Sequence, residues 1–76
     1  MAQAVMVDTL VSATTYRDVM IEVWYCKGSE QPYVKRGWYA IAVTPDGTVL
    51  GPTKTLQAHG YAEMQARWIV DQYLSR

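Results

Sequence analysis

The chain has 76 residues, which is one domain with no room for a second. It is 50% apolar and 18% charged, a balance that excludes a disordered chain and points to a small domain with a thin core, mildly charge-poor for a monomer. Seven basic residues offset seven acidic ones, so the phosphate-neutralising excess usual in nucleic-acid binders, or in proteins held at anionic membranes, is missing.

In chain order, residues 1–15 leave two readings open. Val5, Val7 and Leu10-Val11 suggest a short strand near 4–11, with Ser12-Ala13-Thr14-Thr15 as a connection; the other reading is a partly frayed tail. Residues 16–27 read as a strand. Ile21, Val23 and Tyr25 share one parity, and Met20, Glu22, Trp24 and Cys26 the other. Lys27-Gly28-Ser29-Glu30-Gln31-Pro32 breaks it.

Residues 33–44 read as the next strand, strongest from Gly37, with Tyr39, Ile41 and Val43 on one face and Trp38, Ala40 and Ala42 on the other. Thr44-Pro45-Asp46-Gly47 then predicts a tight hairpin, because Pro presets its φ, Asp suits the third turn position and Gly can take φ > 0. The expected form is a type I turn with a Gly bulge. A third strand near Thr48–Leu50 is cut short by Gly51-Pro52, and a short extended piece follows near Lys54–Leu56.

Residues 60–75 read as a helix introduced by His59-Gly60. Ala62, Ala66, Ile69 and Tyr73 form its sheet-facing stripe, with Val70 at the flank. Glu63, Arg67 and Asp71 form a solvated i, i+4 ladder on the far side. Tyr61, Met64 and Trp68 make a second apolar stripe, and Trp68 is expected to pack over a sheet edge.

The predicted fold is therefore α+β: an antiparallel sheet of about three strands, with a fourth available from the N-terminal segment, and one C-terminal helix on one face, in β-β-β-α order. The divisions are 1–15, a sheet over 16–56 and a helix over 59–75. Pairing Ile21/Val23/Tyr25 with Tyr39/Ile41/Val43 under the helix leaves Met20, Trp24, Cys26, Trp38, Ala40 and Ala42 on the other face. A solvated face should alternate toward polar residues. Met20, Trp24, Trp38, Ala40 and Ala42 are accordingly the candidate association surface, with Tyr61, Met64 and Trp68 a secondary one. The folded-back N-terminus, a second copy through the sheet or its edge, or another protein are the candidate covers. A one-residue slip would exchange the two faces.

Chemistry is not legible. One Cys and one His, Cys26 and His59, do not suggest a zinc site, and Cys26 alone cannot form an internal disulfide, which fits a reducing compartment such as a cytoplasm. No paired carboxylates and no Gly-rich phosphate loop stand out, so neither an enzyme nor a cofactor is expected. No apolar run approaches the roughly 18 residues of a membrane span. The expected function is a non-enzymatic interaction or regulatory module that forms a homodimer or docks another protein. The alternative is single-stranded nucleic-acid binding, with Trp24 and Trp38 stacking bases among Arg17, Lys27, Lys35, Arg36 and Lys54.

Tyr16-Arg17-Asp18-Val19-Met20-Ile21 and Ala62-Glu63-Met64-Gln65-Ala66-Arg67-Trp68-Ile69-Val70-Asp71 resemble small bacterial domains that open with a Tyr-Arg-Gly-x-x-Ile strand and end with an Ala-rich helix closing in Trp-Ile-Asp. Here Asp18 stands in place of Gly, and Val70 intervenes before Asp71. The resemblance spans roughly residues 16–73 and implies the β-β-β-α order and a bacterial origin, with no activity attached. The strand–strand–helix rhythm is also similar to the HicB antitoxins, but their Pro-Asp-Leu-Pro-Gly signature is missing.

Overall fold

The computed structural model describes residues 8–76. Six strands precede one helix: β1 (Thr9–Tyr16), β2 (Val19–Cys26), β3 (Ser29–Glu30), β4 (Tyr33–Val34), β5 (Gly37–Val43), β6 (Val49–Leu50) and α1 (His59–Leu74). Four of them form one antiparallel sheet in the order β1-β2-β5-β6, and β3 and β4 make a separate two-residue ribbon. The fold is α+β, and the fourth strand does come from the N-terminal segment.

That fourth strand lies further along than expected. Residues 4–7 of the predicted strand fall outside the described residues, and Ser12–Thr15 are strand interior, paired with β2, rather than a connection. The chain reverses instead at Arg17-Asp18, whose φ values are 53° and 66°. Two consecutive left-handed residues between paired strands fit a two-residue hairpin turn whose twist matches the strands. The usual Asn-Gly or Asp-Gly signal is absent, so the turn does not announce itself. By contrast, Thr44–Thr48 forms the expected hairpin. The Gly47 N–H donates to the Thr44 carbonyl and the Thr44 N–H to the Thr48 carbonyl, both at 2.9 Å, with Gly47 at φ 91°.

Beyond β6 the chain stays against β5. The Thr53 N–H donates to the Ala40 carbonyl at 2.9 Å, and Trp38 and Leu56 exchange backbone bonds at 2.9 and 2.7 Å. Gly37 permits this approach: it sits at φ 149°, and a Cβ there would lie 2.5 Å from the Leu56 carbonyl oxygen.

The core is the helix–sheet interface. Val19, Ile21 and Val23 of β2, Ala40 and Ala42 of β5, and Ala62, Ala66 and Val70 of α1 are all 2% exposed or less. Burying each Val or Ile is worth about 1.5–3 kcal/mol. The face assignment for β2 holds, but that for β5 is inverted. Ile21 stands opposite Ala42, Val23 opposite Ala40 and Tyr25 opposite Trp38. Directly opposed residues share a face, so Trp38, Ala40 and Ala42 lie under the helix while Tyr39, Ile41 and Val43 look away. Both sides of β5 are apolar, so pattern alone does not decide between them. Size does: a helix whose contact stripe contains Ala62 and Ala66 comes close to the sheet, and Ala40 and Ala42 leave it room.

α1 begins at Ala58, in extended conformation at φ −146° and ψ 146°, with no side-chain cap, and no acidic residue lies in its first turn. Packing rather than end effects stabilises it. One polar latch ties it to the β1–β2 hairpin. The Tyr16 hydroxyl and the Arg17 guanidinium donate to Asp71 Oδ1 at 3.0 and 2.8 Å, and the Arg67 guanidinium lies 5.3 Å over the Tyr16 ring. Asp71 therefore leaves the predicted surface ladder, whose remaining pair is Glu63–Arg67 at 2.6 Å.

Candidate interaction surface

The face of the sheet turned away from α1 can be built row by row from the register. Leu10, Trp24 and Tyr39 stand side by side across β1, β2 and β5; Ala13, Glu22 and Ile41 form the next row; Thr15, Met20, Val43 and Val49 the last. Leu10, Met20 and Val49 keep 46%, 43% and 58% of their surface in solvent, and Trp24, Tyr39, Ile41 and Val43 are half-buried by one another. The surface is contiguous and apolar.

Its two aromatic donors are tied up internally. The Trp24 indole Nε1–H donates to Glu22 Oε1 at 3.2 Å, and the Tyr39 hydroxyl donates to Asp8 Oδ2. Burial and the adjacent Asp8 carboxylate push the Tyr39 phenol up to about 12, since both disfavour a phenolate. At the far end of the sheet, the hydrogen bond to Asp71 raises the Tyr16 phenol, while Arg17 and Tyr16 together hold the Asp71 carboxyl below the ordinary range.

Of the five residues expected to share one surface, only Met20 and Trp24 do. Trp38, Ala40 and Ala42 are on the helix side, Ala40 and Ala42 deep in the core and Trp38 packed against Tyr25 with ring centroids 5.0 Å apart. Leu10, Tyr39, Ile41, Val43, Val49 and the Asp8 tether were not foreseen. The signal available for β5 lay in its central residues, Ala40 and Ala42 small under the helix and Ile41 and Val43 larger outside. The secondary stripe exists on the solvent side of α1. Tyr61, Met64 and Trp68 are more than half exposed, and Trp68, at 60%, does not pack over a sheet edge. The buried stripe of α1 is Ala62, Ala66 and Val70, so residues about 180° around the helix from it point straight outward.

The basic residues collect elsewhere. Lys27 and Arg36 flank a shallow depression with Glu30 and Tyr33. Arg36 continues into a second depression with Tyr25, Trp38 and Gln57, and Lys35, Lys54, Gln57 and Tyr61 line a third. None of these four cations is in an ion pair among the described residues. Cys26 is a buried free thiol. Among the described residues no three His, Cys, Asp or Glu side chains gather as a metal ion needs, and no helix is long and apolar enough to cross a membrane. No protein-family model, curated protein or solved structure matches the chain.

Proposed function

We propose that this domain is a non-enzymatic interaction module that docks an apolar protein surface on the outer sheet face, centred on Met20, Trp24, Tyr39 and Ile41. One observation carries the reading: a contiguous apolar face whose two nearby carboxylates, Glu22 and Asp8, are already bonded to Trp24 and Tyr39. A patch of this kind marks an interaction site more often than a solvated surface. Its aromatics are the residue types that anchor interfaces. Because the Trp24 indole and the Tyr39 hydroxyl donate within the chain, covering the face leaves neither donor unpaired.

Oxidative footprinting of the full chain tests this. Met20 and Trp24 are expected to oxidise readily in dilute purified protein and to be protected in extract of the native host. Equal oxidation under both conditions would remove the reading.

The nucleic-acid reading has separate support, but from a different place than the sequence suggested. Trp24 is next to Glu22, which repels phosphate, whereas Trp38 lines the same depression as Arg36, near Lys27, Lys35 and Lys54. With four cations engaged, binding of a labelled single-stranded oligonucleotide should weaken with salt at a log–log slope of about −3, at roughly 0.7 per phosphate neutralised. Unchanged anisotropy at low salt would dismiss it.

A further inference from the structure

The sheet has two edges, and they are finished differently. On the β5 side the edge is short and broken. β6 has two residues, Gly51-Pro52 follows, and Thr53–Leu56 completes the cover of β5 with irregular bonds. Short strands, Pro and irregular backbone are the ordinary means of closing an edge against further pairing. On the other side, β1 is eight residues long and contains no Lys, Arg, Asp, Glu, Pro or Gly. Its one irregularity is the register shift between Leu10 and Ser12. From Ser12 to Tyr16 it runs regularly, with no second strand against it among the described residues.

The ladder says which groups that edge offers. In a two-residue hairpin the flanking residues, here Tyr16 and Val19, form a hydrogen-bonded pair, and pairs alternate from there. Thr14 and Ser12 therefore bond inward to Ile21 and Val23. Ala13 and Thr15 turn their N–H and C=O groups outward, and neither has a backbone partner among the described residues.

We propose that two copies of this chain pair through β1, antiparallel about a two-fold axis at Thr14. The regular stretch Ser12–Tyr16 is centred on Thr14. The axis places Ala13 opposite Thr15 of the second copy, so their outward groups bond; Thr14 faces Thr14, and Ser12 faces Tyr16. No charges oppose one another, and a Thr–Thr pair is a favoured cross-strand neighbour. The helices do not obstruct this. α1 packs on β2 and β5 and meets the inner side of β1 at Tyr16, at the hairpin end. Four strand spacings then separate the two helix axes, about 19 Å, against a helix diameter of about 10–12 Å.

The product is one eight-stranded sheet with both helices on the same side and the two outer faces joined into one apolar surface. A second copy supplies the complement that the edge requires, an uncharged strand of equal length. The contact is small, so the dimer is weak and concentration-dependent. This inference rests on the interaction reading for its purpose and names the partner, but it uses the strand edge, so the two fail separately.

The full chain carrying Cys26→Ala and Thr14→Cys is oxidised at several concentrations, with Gln65→Cys in the same background as control. Directly opposed residues of a non-hydrogen-bonded pair lie about 4.5 Å apart at Cα, inside the range for a disulfide of about 4.4–6.8 Å. A disulfide-linked dimer at least tenfold more abundant than the control is expected. In sedimentation, wild type should associate at high concentration. Ala13→Pro, which removes an outward N–H without touching the β1–β2 ladder, should remain monomeric, and Ile41→Lys should still associate. No crosslink above control overturns the proposal whether or not Ala13→Pro folds. Association lost in Ile41→Lys but kept in Ala13→Pro overturns it as well, and leaves the outer-face reading standing.

Discussion

On the inner side of β2, Ile21 and Val23 are sealed beneath α1. One residue along the same strand, Met20 and Trp24 look out from the other side into solvent. β5 repeats the contrast with Ala40 and Ala42 inside and Ile41 and Val43 outside. The two faces have comparable hydrophobicity but not comparable size. Beneath the helix the inner one is built of small and β-branched residues that admit a close approach, with Tyr25 and Trp38 at its end. The outer one is built of wide side chains that shield one another and tie their polar groups to nearby carboxylates. The difference teaches that burial here follows from what covers a residue, not from how apolar it is. A strand apolar on both sides has two faces that could be covered, and α1 covers one of them.

The contrast can be broken most forcefully at matched positions. Ile21→Ala should cost about 2–5 kcal/mol, since it empties a sealed site, and chemical denaturation should find much of the domain's modest stability gone. Ile41→Ala, the same change on the open face, should cost well under half of that; equal losses would mean that the outer face is as closed as the inner one.

A second measurement sharpens the outer face through pH. Tyr39 titrates near 12 when folded, above its ordinary value of about 10. Between those values the folded chain holds a proton that the unfolded chain releases, so stability present below about pH 10 is lost as pH rises toward 12. Tyr39→Phe should flatten that alkaline slope in thermal melts. The inner side has the opposite signature at its latch: Asp71 is lowered, so its contribution is present above the ordinary Asp range and fades as pH falls below it, and Asp71→Asn should remove that part of the acid dependence.

Smaller effects follow at the turn and on the helix. Asp18 sits at φ 66°, and Asp18→Gly should stabilise the domain by up to about 1 kcal/mol by relieving a left-handed Cβ. A decrease in the denaturation midpoint would mean that the Asp18 side chain is needed there. Trp68→Ser, on the solvent side of α1, should change stability by no more than about 0.5 kcal/mol. A larger loss would place that stripe in a contact within the monomer.

These cases also mark where the sequence is readable. Pro45-Asp46-Gly47 and the 16-residue helix are legible because each carries its own local chemistry, turn residues in one and a 3.6-residue period in the other. The β5 faces are not, because alternation between Tyr39, Ile41, Val43 and Trp38, Ala40, Ala42 gives two apolar answers and only the helix, far away in sequence, selects between them. Arg17-Asp18 hides its turn because Arg is not a habitual left-handed residue and no Gly accompanies Asp18. Asp71 looked like one rung of a surface ladder because its partners Tyr16 and Arg17 lie 55 and 54 residues away. Of the candidate surface, Met20 and Trp24 were visible and the rest waited on register.

The order of elements along the chain has a consequence for biosynthesis. α1 supplies Ala62, Ala66 and Val70 to the core with Val19, Ile21, Val23, Ala40 and Ala42, and it follows every strand among the described residues. Hairpins close in roughly 1–10 μs, whereas at about 5–20 residues per second the ribosome needs about one to three seconds to add a helix of this length. For that interval the nascent chain presents a sheet that is bare and apolar on both sides, with β1 open along its edge. The inner face of the sheet therefore waits on the synthesis of His59–Leu74 for its helical cover.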